Sequence, residues 1–291
     1  MHPDLILDRL KQELTLGKVK SHEECFDATK SQETAWEKWK MQPSPCDKNV
    51  DVVILVKSSI DRNGNRRIIR KTWARKVKVE TETFKLFIRP IFLIGVLNSD
   101  DQLPKFCPGV SLILLSDDDA VIVPWLFFGQ LVPVTKIVQN PNENYFGGVP
   151  FFMSLVPRTF KLGSRAEIPV TSFPCSTMPI YLQGFAMVFS MGTLKRLVEE
   201  MHKYYSIAFS DDVYLSWLAY RLKINVDEYS TDLFEGSCLV EENQHPSVYE
   251  KHAKNDRVES VAVVHQCDTA ELQKDLWIRL CESFIVNNTL I

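Results

Sequence analysis

Apolar residues in this chain gather into short uninterrupted runs. Val52-Val-Ile-Leu-Val56, Ile91-Phe-Leu-Ile-Gly95 and Leu112-Ile-Leu-Leu115 have the length and branched composition of strands covered on both faces. Between the first two lie a loop at Asn63-Gly64-Asn65 and a basic segment from Arg66 to Arg75. Strands separated by helical segments predict an α/β domain with its ligand site at the strands' carboxyl ends. Further on, Tyr181 to Ser190 reads as one strand crossing the core, with Gly184 where a ligand or backbone comes close. Leu194, Leu197, Val198 and Met201 recur at helical spacing, and Leu215, Leu218 and Leu222 predict a helix from about Asp212 to Leu222. Ser260 to Val264 predicts a late strand, and Leu272, Leu276 and Leu280 a C-terminal helix. Residues 1–47 differ in character. They are highly charged, carry Trp36 and Trp39, and end in Gln42-Pro-Ser-Pro-Cys46, which predicts a mainly helical stem and a turn-rich linker ahead of a domain over 48–291.

Composition narrows the class. With 291 residues, 45% hydrophobic and 24% charged, the chain can bury an ample core in one large domain or two small ones. A net charge of −3 gives no push toward nucleic acid or an anionic membrane. The seven cysteines include no Cys-x-x-Cys pair, which argues against a zinc knuckle. Their odd number fits either a reduced cytosolic protein or a secretory one with a thiol left over. The start, Met1-His-Pro-Asp-Leu-Ile-Leu-Asp8, is too short and too charged for a signal peptide. No run reaches the roughly 18–20 apolar residues of a membrane helix. Asn287-Asn288-Thr289 is a glycosylation sequon, a tripeptide common by chance. No phosphate loop, dinucleotide fingerprint, Gly-x-Ser-x-Gly elbow or His-Glu-x-x-His occurs, which argues against P-loop NTPases, typical dehydrogenases, α/β-hydrolases and zincins.

Three clusters offer chemistry. Asp117-Asp118-Asp119 closes the run Ser111-Leu-Ile-Leu-Leu-Ser116. Carboxylates there are costly without a positive partner, and Asp117 and Asp119 could cage a hard divalent cation that holds a diphosphate. Otherwise the triplet is a solvated loop or caps a helix beginning near Pro124. In Arg66-Arg-Ile-Ile-Arg-Lys-Thr-Trp73, a helix would put Arg66, Arg70 and Trp73 on one face, with guanidinium forks for phosphate and an indole for a base. Its bland counterpart is an exposed basic helix with Trp73 buried as packing. Asp211-Asp212 at a helix head either caps the helix or supplies a general base. His265 follows Val261-Ala-Val-Val264, where an imidazole is structural or completes a metal shell.

In this order the pieces resemble the β-1,3-galactosyltransferase family, which includes β-1,3-N-acetylglucosaminyltransferases. Arg66 to Trp73 is similar to the family's Arg-Arg-x-x-Ile-Arg-x-Thr-Trp-Gly block, and Phe92-Leu-Ile-Gly95 to its Phe-Leu-Leu-Gly strand. Cys107-Pro108 followed by Leu112 to Asp119 resembles its Cys-Pro, apolar strand and Asp-Asp-Asp. Tyr181 to Ser190 is similar to its glycine-bearing strand, Asp211-Asp-Val-Tyr-Leu215 to its Glu-Asp-Val-Tyr-Leu-Gly block, and His265 with Trp277 to its late His and Trp. The resemblance implies an α/β fold of the glycosyltransferase A-type, Mn²⁺, a UDP-sugar donor, a glycan acceptor on a glycoprotein or glycolipid, and an inverting mechanism. It implies metal ligation by Asp117, Asp119 and His265. Nucleotide-sugar binding would fall to Arg66, Arg67, Arg70, Trp73 and Asp118, and acceptor activation to Asp212 beside Asp211. It also implies residence in the Golgi lumen through a membrane anchor, which this sequence does not display. Departures accompany the match. Ala74 and Ser216 replace glycines, Asp211 replaces glutamate, and Gln183-Gly-Phe-Ala186 thins a glycine-rich stretch. Only 21 residues separate Gly95 from Asp117 (117 − 95 − 1), where the family has a further Tyr-x-Asp-Ile-Ile strand and an Asn-Leu-Thr-x-Lys helix. Two alternatives follow: a degenerate protein that keeps the fold without turnover, and a cytosolic nucleotide-binding protein of another fold.

Overall fold

A computed structural model of the chain describes residues 44–75, 77–80, 84–94, 107, 109–152, 156, 173, 175–178, 180–204, 211–235 and 261–288. Most of the expected N-terminal stem lies outside these residues. The first apolar run becomes β1 (Val52–Ser58), with its first five side chains buried. Its neighbours, β3 (Lys85–Ile94) and β4 (Leu112–Asp117), run parallel to it, with Val52 in register with Ile88 and Leu112. Burial without alternation has a simple cause. Val52, Ile54 and Val56 face a core shared with Trp73 and Phe127, while Val53 and Leu55 face a second core shared with Ile113 and Trp217.

The sheet has seven strands in the order β10-β6-β9-β4-β1-β3-β2, with β2 (Val77–Glu80), β6 (Phe146–Gly148), β9 (Met187–Ser190) and β10 (Asp227–Glu228) completing it. Its centre is parallel, while β9 is antiparallel to β4 and β6. Beyond β3 the parallel run stops, since β2 folds back on it antiparallel. That pairing explains why β3 begins at Lys85, well before Ile91. The early part, Lys85 to Pro90, mixes charge and proline with apolar residues and carries no buried-strand pattern. A small sheet, β11-β12-β5, joins β5 (Val121–Ile122), β11 (Phe234–Glu235) and β12 (Val263–Val264). Of the expected late strand, Ser260 lies outside the described residues, and Ala262 precedes the ladder, its N donating to Leu233 O and its O accepting from Val123 N.

Two further expectations are corrected. Tyr181 to Ser190 is two strands: β8 (Tyr181–Leu182) pairs with β7 (Pro150–Phe151), and β9 enters the main sheet. The break at Gln183–Ala186 is held by Gln183 N donating to Val149 O and Ser116 Oγ to Phe185 O. The basic segment is only half helical. Helix α1 (Asn63–Ile69) ends with Arg70 as its cap, and Thr72 Oγ1 donates back to Ile68 O as the chain turns away. Arg66, Arg70 and Trp73 therefore do not share a helical face.

A short helix at Pro124–Leu126, with proline in its first turn, widens into a π-helical turn at Phe127–Leu131. The remaining helices are α2 (Val134–Gln139), α3 (Met191–Met201), α4 (Asp211–Arg221) and α5 (Ala270–Asn288). The leucines that predicted α3, α4 and α5 include buried Leu194, Leu197, Leu218, Leu276 and Leu280. A disulfide joins Cys46 to Cys107, pinning the linker to the segment that leads into β4.

Candidate active site

Strand β4 ends at Asp117, and a turn carries Asp118 and Asp119 round before β5. Strand β12 ends one residue before His265 and lies antiparallel to β5, so the imidazole arrives beside the acidic turn. His265 Nε2 stands 3.3 Å from Asp119 Oδ1 and 3.7 Å from Asp117 Oδ2. One ligand atom from each of the three residues falls within a span of 4.8 Å. An octahedral ion with bonds near 2.1 Å spaces adjacent ligands roughly 3 Å apart, so this donor set could bind a hard cation. Asp119 Oδ1 is buried and has no hydrogen-bond partner among the described residues, the condition of an oxygen available to an ion. The His265 ring stacks on Phe185, centroids 4.5 Å apart, which fixes its plane.

Lys57, the last charged position of β1, extends the cluster toward α4. Its Nζ donates to Asp117 Oδ1 and to Asp211 Oδ2, each at 2.8 Å. Burial alone would lower its pKa, but Asp211 and Asp117 outweigh burial and raise it. Burial pushes the Asp117 carboxyl up, while His265 and Lys57 pull it below its ordinary value. A Cβ built on Gly184 would lie 3.0 Å from Lys57 Nζ and 3.3 Å from Asp212 Cβ. The close approach expected at this glycine is therefore that of two charged side chains. Asp212 sits in the first turn of α4, and its Oδ1 accepts from Val213 N at 2.7 Å. The acidic turn and the Asp211–Asp212 pair consequently share one locality, bridged by a single ammonium.

The other residues singled out in the sequence fall nearby but differ in accessibility. Asp118 is nearly buried, with Oδ1 3.3 Å from Arg62 Nη1, and burial raises its pKa above the ordinary carboxylate value. Arg66 is buried and turned onto the β1–α1 loop. Its Nη1 donates to Ser58 Oγ at 2.7 Å and to Ser59 O, and Nη2 to Ile60 O at 2.9 Å. Arg67 and Arg70 are exposed, and the Arg70 guanidinium lies over the Phe92 ring at 4.2 Å. Trp73 is 1% exposed and packs in the core. It offers no open face for a base. Lys57, Arg62 and Phe185 were not singled out in the sequence. For Lys57 a signal existed: a lone cation ending an otherwise apolar strand requires a counter-charge.

Comparison with known proteins adds the family. Residues 102–230 match the family described as Galactosyltransferase. That span includes the acidic turn and Asp211–Asp212, and leaves out Arg66–Trp73 and His265. No curated protein matches the sequence. Among solved structures, the chain is similar to a glycosyltransferase involved in the glycosylation of the major capsid of PBCV-1, at 12% identity, 78% of this chain, 98% of that one and a TM-score of 0.37. It is similar to mouse xyloside xylosyltransferase 1, apo form, at 9% identity, 76% and 98% coverage and a TM-score of 0.36. GlyE of Streptococcus pneumoniae TIGR4 is similar at 10% identity, 82% and 64% coverage and a TM-score of 0.36. Likenesses this distant carry nothing about substrate or chemistry. The mixed α/β sheet, parallel at its centre, is the class expected from the sequence, and the acidic turn stands at the tip of β4. The match to the galactosyltransferase family over residues 102–230 supports a glycosyltransferase.

Proposed function

We propose that the chain is a metal-dependent hexosyltransferase that moves galactose or N-acetylglucosamine from a UDP-sugar to a glycan hydroxyl in β-1,3 linkage, with residues 48–291 as its catalytic domain. The observation that carries this reading is the juxtaposition of Asp117, Asp119 and His265 with Asp211–Asp212 through Lys57. Asp117, Asp119 and His265 would hold the cation, Mn²⁺ in this proposal. When bound, it offsets the negative charge that grows on the departing diphosphate. Asp118 serves the nucleotide sugar, with Arg67 and Arg70 as the exposed guanidiniums on its approach. Arg66 acts one step back, by shaping the loop after β1.

The general base is assigned to Asp212, which stands at the aspartate of the resembled Glu-Asp-Val block, in the first turn of α4. It takes the proton of the acceptor hydroxyl while that oxygen bonds to the anomeric carbon. The bond from that carbon to UDP breaks, and UDP leaves with the electron pair. A single displacement of this kind inverts the anomeric configuration. Gly184, lacking a side chain, lets Lys57 Nζ and Asp212 approach the turn before β9 closely. Exposed Phe151 stacks on half-buried Tyr181 across the β7–β8 pair that leads into that turn, and the two rings would wall the acceptor's side. The disulfide fits residence in an oxidising compartment such as the Golgi lumen. No helix among the described residues is long and apolar enough to cross a membrane.

A transfer assay with UDP-galactose or UDP-N-acetylglucosamine and oligosaccharide acceptors tests the proposal. Asp212→Asn is expected to retain UDP binding and lose about 10²–10⁴ of the transfer rate. A mutant as active as the parent removes Asp212 from the mechanism. The competing reading, a fold that binds nucleotide without turnover, is favoured by the short Gly95–Asp117 interval and by the parallel run stopping at β3. Measurable transfer rejects it.

A further inference from the structure

The acidic turn and the segment around His265 come from distant parts of the chain, and two buried amides join them. Gln273 on α5 is 1% exposed, and its Nε2 donates to Asp118 O at 2.6 Å and to Cys267 O at 3.0 Å. Asn65 on α1 donates Nδ2 to the same Asp118 O at 3.2 Å and to Asp268 O at 3.1 Å. Cys267 N adds a bond to Asp119 O at 2.7 Å. An amide nitrogen carries two protons and a carbonyl oxygen two lone pairs, so both donors are fully used and Asp118 O is saturated. All four contacts end on carbonyl oxygens. Neither amide can be reversed without setting oxygen against oxygen, so each is held in one orientation.

These bonds act only on backbone atoms of the turn and leave the Asp117 and Asp119 carboxylates to other partners. Gln273 makes the shorter grip on both sides, to Asp118 on the acidic turn and to Cys267 two residues beyond His265. Its Oε1 is buried without a hydrogen-bond partner among the described residues. A methionine of similar length would avoid that cost, so what the position gains from glutamine is the pair of donors. We propose that Gln273, assisted by Asn65, is a positioning residue that sets the separation of Asp119 from His265 and thereby tunes the cation site. The inference rests on the metal-site reading above, and goes beyond it by assigning the groups that orient the ligands.

The test is Mn²⁺ titration of the full chain, followed by electron paramagnetic resonance, with the metal alone as probe. Outer groups that orient ligands typically contribute about 10–100-fold to metal affinity. Gln273→Met is expected to weaken Mn²⁺ binding by that factor and to flatten the preference for Mn²⁺ over the larger Ca²⁺. Leu280→Ala, a core truncation on the same helix, is expected to lower the melting temperature yet leave Mn²⁺ affinity within about twofold. Parental Mn²⁺ affinity in a folded Gln273→Met protein overturns the proposal, as does an equal loss in Leu280→Ala. Should Gln273→Met fail to fold, Asn65→Ser decides in the same titration: about tenfold weaker binding supports the clamp, and parental binding overturns it. A parent chain that binds no Mn²⁺ contradicts the metal site itself. A parent that binds, beside variants that bind equally well, contradicts the clamp alone.

Discussion

Lys57 and His265 stand among the carboxylates at the strand tips, and they respond differently to pH. Lys57 stays charged across the working range, whereas His265 titrates within it. Burial pulls His265 down, but the Asp117 and Asp119 carboxylates beside it dominate and raise it to about 9, against about 6.5 in an unfolded chain. A raised pKa means that protonated His265 stabilises the metal-free fold. That contribution is fully present below about pH 6.5 and is lost as pH rises through about 9. Denaturant unfolding of metal-free protein is expected to show a loss of about 1–2 kcal/mol across this window after solvent screening, and none in His265→Gln. A parental slope in that variant would place the titration elsewhere. The same proton must leave before a cation binds to the imidazole. Calorimetry at pH 7 in buffers of different ionisation enthalpy is expected to report about one proton released per Mn²⁺ bound. No release would remove His265 from the ligand set.

At the scale of elements, Ser190 links the sheet to α3. Its hydroxyl accepts from Thr193 N at 3.1 Å as the helix cap, accepts from Tyr145 N at 3.2 Å, and donates to Glu143 O at 2.5 Å. Ser190→Ala is expected to cost about 1–3 kcal/mol in chemical unfolding, the loss of a cap plus buried groups left unpaired. A cost under about 0.5 kcal/mol would show that the cap is replaced by water. Elements with one dominant cause were legible in the sequence. Strands β1 and β4 are covered on both faces and read as unbroken apolar runs, and α3 to α5 show leucines at helical spacing. The early half of β3 owes its strand form to pairing with β2, and the break at Gln183–Ala186 to a change of sheet partner. Neither leaves a local pattern. The site divides in the same way. Asp117, Asp119, His265 and Asp212 stood out as acids or imidazole at the ends of apolar or helical runs. Lys57 needs Asp211, 154 positions away, and Gln273 needs Asp118, 155 positions away, to acquire meaning.

For the molecule as a whole, the parallel centre of the sheet delivers β1 and β4 side by side, so Lys57 and Asp117 are register partners before any ligand arrives. Folding thus assembles the charged cluster, and the cores on both faces of β1 hold it in place. The Cys46–Cys107 disulfide closes a loop of 61 residues around this unit. Chain-entropy arguments give such a loop up to about 4 kcal/mol, so Cys46→Ser is expected to lower unfolding free energy by about 2–4 kcal/mol. An unchanged value would mean that the linker contributes nothing to the fold. The proposed activity depends above all on a cation seated by Asp117, Asp119 and His265 that grips a nucleotide diphosphate. Isothermal titration of UDP into the chain, once with Mn²⁺ and once with EDTA, addresses this directly. The expected result is binding tighter by about tenfold or more with Mn²⁺, and loss of that difference in Asp119→Ala. Equal UDP affinity in Mn²⁺ and in EDTA would contradict the account.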